Sequence, residues 1–196
     1  MAKFFGNLNL VVSVGVVLAL ALMIALDAPS FNSSVACIKM TFVWLHVFFG
    51  ILWIGLLYYL NFVQVPTMPK IPADQKGAIT GHIAPRVFWY FRYAALFTVI
   101  TGLVVAYNGN FLVSALLLQD GGKVRLIGVG MWLALIMAFN VWFIIWPAQK
   151  KILGIIEATA EEKAAAAPRA LFASRTNLLL SFGMLYAMSA ANVLVA

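Results

Sequence analysis

The stretch Val11–Leu26, VVSVGVVLALALMIAL, carries a single hydroxyl and no charge. It shows no alternation of polar and apolar residues, so it does not read as a half-buried strand. In hydrocarbon every backbone N–H and C=O needs a partner, and only a helix or a closed barrel supplies them. The run therefore predicts a membrane-spanning helix. Four further apolar runs of similar length lie downstream, and about 20 helical residues suffice to cross a core of about 30 Å. The spans are expected near residues 8–26, 40–64, 88–108, 124–146 and 177–195, in a single transmembrane domain covering 1–196. This is an all-α, five-helix bundle without internal repeat or second domain.

Composition agrees. The 196 residues are 64% hydrophobic and 10% charged, with a mean hydropathy of +1.00. Soluble domains run near 45–50% apolar and about 25% charged. Disorder is excluded because a net charge of +7 is accompanied by too much apolar surface. The 13 Lys and Arg sit at the ends of apolar runs and form no basic face, which argues against nucleic-acid binding. Lys3 ahead of an apolar run resembles a signal peptide, but the length suits a full span, and the reading is an uncleaved helix.

Charge sets the orientation. Ten of the 13 cations fall on one side: Lys3, Lys70, Lys76, Arg86, Arg92, Lys150, Lys151, Lys163, Arg169 and Arg175. Lys39, Lys123 and Arg125 fall on the other. The positive-inside rule then gives a cytoplasmic N-terminus and an outside C-terminus. Pro66, Pro69, Pro72 and Pro85 are expected to keep residues 65–87 from forming a continuous helix. Residues 148–176, with their alanine run, read as a cytoplasmic helix continuing span four. Asn108–Gly122 is expected at the outer interface.

One cysteine, Cys37, and two histidines, His46 and His82, leave no disulfide, no covalent haem motif and no multi-histidine metal cluster. Polar groups within a span need partners or a cavity. His46 sits roughly 9 Å from the outer end of span two by helix rise. At 100° per residue it shares a stripe with Gly50, Trp53, Leu57, Asn61 and Gln64, which is expected to face protein or a cofactor. Two readings stand for His46: an axial ligand of a b-type haem, which a neutral imidazole suits, or a histidine bonded to a neighbouring helix. On the haem reading, Gly50 removes a side chain where a planar group would approach.

His82 falls on the cytoplasmic side and is expected to be interfacial, with a separate inner haem as the alternative. Met131, Met188 and Lys123 lie at the depth of His46 and are the candidates for a second ligand, although methionines at helical spacing more often pack. Asn177, Ser181, Met184, Met188 and Asn192 share one face of span five, expected to point inward. Arg92 and Arg175 either snorkel to the inner interface or bind an anion such as a haem propionate, an anionic substrate or a lipid phosphate. Trp44, Trp89, Trp142 and Trp146 read as aromatic-belt residues.

Four ordered segments resemble the membrane region of the bacterial membrane-bound urate oxidase (urate hydroxylase) family: HVFFGILWIGLLYYLNFVQ (His46–Gln64), FRYAALFTVITGL (Phe91–Leu103), NVWFIIWPAQK (Asn140–Lys150) and SRTNLLLS (Ser174–Ser181). A looser similarity, His followed seven residues later by Trp and then small residues, is to the copper-resistance D and HemJ-type membrane haem proteins. The resemblance implies a helical bundle in the bacterial inner membrane, redox chemistry, and His46 as ligand of haem iron. The HemJ-type proteins also imply a lysine near a later helix, for which Lys123 is the candidate. Full members of the urate family continue into a cytochrome c domain, and this sequence has no CxxCH, so urate oxidation does not carry over.

The expected function is a membrane b-haem protein that transfers electrons or oxidises a small molecule with a separate redox partner. The alternative is a haem-free structural or assembly subunit, its polar stripes serving as helix–helix glue. An organic-anion carrier is weaker, since no inverted halves or broken mid-membrane helix are evident. Lipid contact and a homo-oligomer or complex are expected, with Gly15, Gly102 and Gly128 as close-packing positions.

Overall fold

The computed structural model describes residues 2–27, 34–119 and 121–193, and these are helical with short connections. Among the described residues, four helices are long and apolar enough to cross a membrane: Leu8–Ala25, Ala36–Lys70, Lys76–Asn108 and Gly121–Ile152. The chain is a multi-pass membrane protein. Residues Met1–Thr41 and Phe42–Ala196 form two compact units.

In the first unit, a helical turn (Ala2–Phe5) precedes α1 (Leu8–Asp27). The Asn7 side chain accepts the Leu10 backbone N–H at 3.2 Å, the N-cap that satisfies one orphan donor of a helix start. The boundary between the units falls inside α2 (Ser34–Tyr58).

The second unit contains the rest of α2, then α3 (Ala84–Asn108), α4 (Leu112–Leu116), α5 (Gly121–Phe139), α6 (Trp146–Ile152) and α7 (Ala160–Val193). Three π-helical turns are spliced into these: Tyr59–Gln64 after α2, Ile79–Ile83 before α3, and Asn140–Ile145 between α5 and α6. Each ends two residues before a proline, at Pro66, Pro85 and Pro147. A proline has no N–H to donate, and its ring clashes with the carbonyl four residues back. The widened turn relieves the crowding. In each case the residue before the proline donates its N–H five residues back: Val65 to Leu60, Ala84 to Ile79, Trp146 to Val141.

As expected, residues 65–87 form no continuous helix: the break falls at residues 71–75 and contains Pro72. It is short, because helical structure continues through Pro66 to Lys70 and resumes at Lys76, so Pro66 and Pro85 are absorbed inside helices. The expected extension of span four is corrected. α6 stops at Ile152 in a Schellman turn, with Gly154 at φ +70°, its N–H on the Lys151 carbonyl and the Ile155 N–H on the Lys150 carbonyl. Glycine takes this left-handed position without the Cβ penalty. The alanine-rich run belongs instead to α7, which passes through Pro168 and extends about 51 Å at 1.5 Å per residue over its 34 residues.

α7 opens with a reciprocal cap. Glu162 N–H donates to Thr159 Oγ1 at 3.2 Å and Thr159 N–H donates to Glu162 Oε2 at 3.0 Å, the capping box of T-x-x-E. Lys151 Nζ adds a 2.8 Å ion pair to Glu162 Oε1, tying the end of α6 to the start of α7. The Lys151 hydrogen bond, with the Thr159 backbone, holds the Glu162 carboxyl below its usual range. Its contribution is complete at neutral pH and is lost as pH falls below the ordinary value of about 4.3 and through the lowered one. Glu162→Gln is therefore expected to flatten the acid limb of thermal stability while leaving helix content at pH 7 unchanged. An acid limb identical to wild type would show the pair to be idle.

The interior of the second unit is built around Trp53, Leu57, Phe91, Met137 and Val141, all nearly inaccessible, with Ala94, Ala95 and Ala173 filling close approaches. Burial here does not exchange water for protein as in a soluble core, so close packing and interhelical hydrogen bonds hold the helices together. A second cluster gathers Ala106, Ala115 and Met131 with Met188, where α4 packs on α5. Gly128 admits the Ala115 carbonyl there.

Candidate functional site

The expected inward stripe of α2 does face protein. Trp53, Leu57 and Asn61 are buried, and His46, Gly50 and Gln64 are half-buried. On the last helix, Asn177 and Ser181 are fully buried, Met184 nearly so and Met188 partly. The Asn192 side chain lies outside the described residues.

His46 is fixed by α3. Its Nδ1 is 2.8 Å from the Thr98 carbonyl and 3.4 Å from Thr101 Oγ1. A carbonyl only accepts, so Nδ1 carries the proton and, in the neutral ring, Nε2 holds the lone pair. No described residue hydrogen-bonds Nε2. The ring rests on Gly102, where an added Cβ would come within 2.8 Å of Cε1 and 3.1 Å of Nδ1 but 3.7 Å of Nε2. The Nδ1 edge thus faces α3. Gly102 is occupied within the chain rather than left for a partner helix.

Gly50 sits one turn along α2. A Cβ there would meet Thr98 Cγ2 at 3.9 Å, ordinary van der Waals contact, so an alanine would fit between α2 and α3 at this level. Trp53 is fully buried, and its indole Nε1 has no hydrogen-bond partner. Met131 and Met188 come together in the cluster beside α4. Lys123 and Arg175 are exposed.

Arg92 is the unusual cation. Its guanidinium carbon lies 3.7 Å from the Trp146 ring centroid, 5.2 Å from Tyr93 and 6.0 Å from Trp142. Its Nε and Nη1 are buried without hydrogen-bond partners, and Trp142 Nε1 donates to the Arg92 carbonyl at 3.1 Å. Trp142 and Trp146, expected in an aromatic belt, therefore clasp this side chain. Stacking on indole partly offsets desolvation of a guanidinium but satisfies none of its in-plane donors.

A polar seam joins the π turns to α7. Asn61, inside the first, donates to the Leu57 carbonyl and to Ser174 Oγ, each at 2.9 Å. Asn140, opening the third, donates to Asn177 Oδ1 at 2.8 Å, and Asn177 donates to the Met137 carbonyl at 2.9 Å. Tyr58 and Ser181 pair at 3.2 Å. Asn61 Oδ1 and Gln64 Oε1 remain buried without partners.

His82 lies in the second π turn, 16 residues before Thr98, or roughly 24 Å along the helix. The two histidines therefore do not meet. Among the described residues no group of three or more His, Cys, Asp or Glu side chains could hold a metal ion. Thr98, Thr101 and Gly102 were not singled out as site residues from sequence. The signal was T-V-I-T-G at the depth of His46 in an antiparallel neighbour. No family model, curated protein or solved structure matched the chain.

Proposed function

We propose that the chain is a membrane b-haem protein that transfers electrons, or oxidises a small molecule, together with a separate redox partner. One observation supports the reading: the His46 Nδ1–H bond to the Thr98 carbonyl leaves the lone pair of the neutral ring on Nε2, where a metal would bind. Metal-ligating histidines generally donate their other N–H in this way, which fixes the tautomer and raises ligand basicity. Two residues present chemistry that such a group would use. His46 would hold the iron, and the orphaned N–H donors of Arg92 suit a propionate carboxylate. When bound, haem supplies a one-electron iron couple. The chain's own work is to orient the imidazole through Thr98 and Gly102. An oxidised and a dithionite-reduced absorption spectrum of purified protein tests the reading; absence of Soret and alpha bands from haem-replete cells would refute it.

The second reading, a haem-free assembly subunit, is favoured by the Asn140–Asn177 and Asn61–Ser174 bonds, since these polar groups are spent on joining helices.

In either case the proposed topology has five spans, with α7 as the fifth. α7 is less apolar than the others because its first half carries Glu161, Glu162, Lys163, Arg169 and Arg175 and its second half Asn177, Ser181 and Ser189, yet it packs along α5 in the bundle. The ten-to-three cation split supports a cytoplasmic N-terminus and an outside C-terminus, and the bacterial inner membrane is the one the resemblance implies. A reporter fused after Ala196 is expected to be active only outside the cytoplasm. Activity inside would contradict the five-span arrangement.

A further inference from the structure

Along the face of the bundle where α2 meets α3 runs an open groove of about 460 Å³. Leu52, Leu56 and Val87 form its apolar walls, and His82, Arg86 and Tyr90 line it from the α3 side at four-residue intervals. No acidic residue lines it, and no described residue pairs with the exposed Arg86 guanidinium. The antiparallel register sets its direction. His46 lies opposite Thr98–Gly102, so Leu52 falls toward the middle of the membrane and His82 toward the inner mouth. The groove is therefore apolar at depth and cationic at one end.

We infer that this groove binds one anionic phospholipid of the inner leaflet, the sidedness resting on the topology proposed above. A guanidinium presents a planar fork that takes two phosphate oxygens, and an unpaired Arg beside a His makes the mouth complementary to a net negative headgroup. No carboxylate stands nearby to receive the ammonium of a zwitterionic lipid. The walls distinguish a lipid from free phosphate: Leu52 and Leu56 extend deeper than Arg86 and match an acyl chain. Tyr90 supplies the amphipathic ring that prefers the headgroup level. Basic recesses between spans on the cytoplasmic side are recognised lipid-headgroup sites.

The test is native mass spectrometry of delipidated full-length protein in mild detergent, titrated with dioleoyl phosphatidylglycerol, dioleoyl phosphatidylcholine or inorganic phosphate. A single phosphatidylglycerol adduct should survive at tenfold lower lipid than the phosphatidylcholine adduct, and phosphate should neither bind nor compete. Arg86→Gln should weaken phosphatidylglycerol at least fivefold, and Leu56→Trp, which fills the groove but keeps the cations, should do the same. Lys163→Gln, an exposed cation elsewhere, should change nothing. Equal retention of the two lipids, competition by phosphate, undiminished binding in Arg86→Gln, or an equal loss in Lys163→Gln would each overturn the proposal. Circular dichroism of the variants verifies folding, and none of the readouts depends on haem.

Discussion

Replacing Gly102 with alanine is expected to cut haem retention by about 10–100-fold, the range found when the group orienting a metal-bound histidine is lost. The new methyl would lie 2.8 Å from His46 Cε1, closer than packed carbon atoms tolerate at about 3.5–4.0 Å. The imidazole is the more mobile of the two and must swing away. That movement breaks the 2.8 Å bond to the Thr98 carbonyl and frees the ring to rotate and change tautomer. Helix content should not change, because alanine is a better helix former than glycine. Gly55→Ala is the control in the neighbouring helix: nothing lies within 4 Å of its added Cβ. It should retain full haem and gain about 0.5–1 kcal/mol of helix stability. Equal haem in the two variants would remove Gly102 from the site.

The second large effect concerns the seam. Asn177 is fully buried and makes two bonds to the α5–π turn region, accepting from Asn140 and donating to the Met137 carbonyl. Interhelical hydrogen bonds in membranes average about 0.6 kcal/mol each, and an orphaned buried donor such as the Asn140 amide costs roughly 1–3 kcal/mol more. Asn177→Ala is therefore expected to destabilise the bundle by about 2–4 kcal/mol in reversible unfolding from detergent micelles. Asn140→Ala combined with it should cost less than the sum, since the pair is removed together. Ser189→Ala, whose exposed hydroxyl bonds only its own helix at Leu185, should stay within about 0.5 kcal/mol of wild type. Strict additivity of the two asparagine changes would mean that their bond carries no coupling.

Much of the architecture follows from one-dimensional pattern. Apolar runs locate the spans because hydrocarbon forbids unpaired backbone, and the 100° periodicity correctly turned Trp53, Leu57 and Asn61 inward together with Asn177 and Ser181. The proline-rich stretch does interrupt the helix, at Pro72, but the break is shorter than four prolines suggest. Pro66 and Pro85 disrupt an α-helix only if the carbonyl four residues back stays in place, and a π turn moves it. That adjustment extends two helices and shortens the connection between them to residues 71–75. The break after α6 was marked by Gly154 alone, a weaker signal than the alanine run that follows it. For the site, His46 was visible as a polar residue in a span, but its partner is a backbone carbonyl, which carries no residue identity. Gly102 was read as a contact for another helix because a glycine does not announce which neighbour fills its space. Arg92 was visible as a problem; that Trp142 and Trp146 clasp it depended on the register of the third π turn.

If His46, and not His82, ligates haem iron through Nε2, the dithionite-reduced spectrum and haem-to-protein ratio of wild type, His46→Ala and His82→Ala, purified from haem-replete cells, will separate them. Soret and alpha bands are expected in wild type and in His82→Ala, and their loss in a His46→Ala protein that keeps its helix content. Undiminished haem in His46→Ala would contradict ligation by His46.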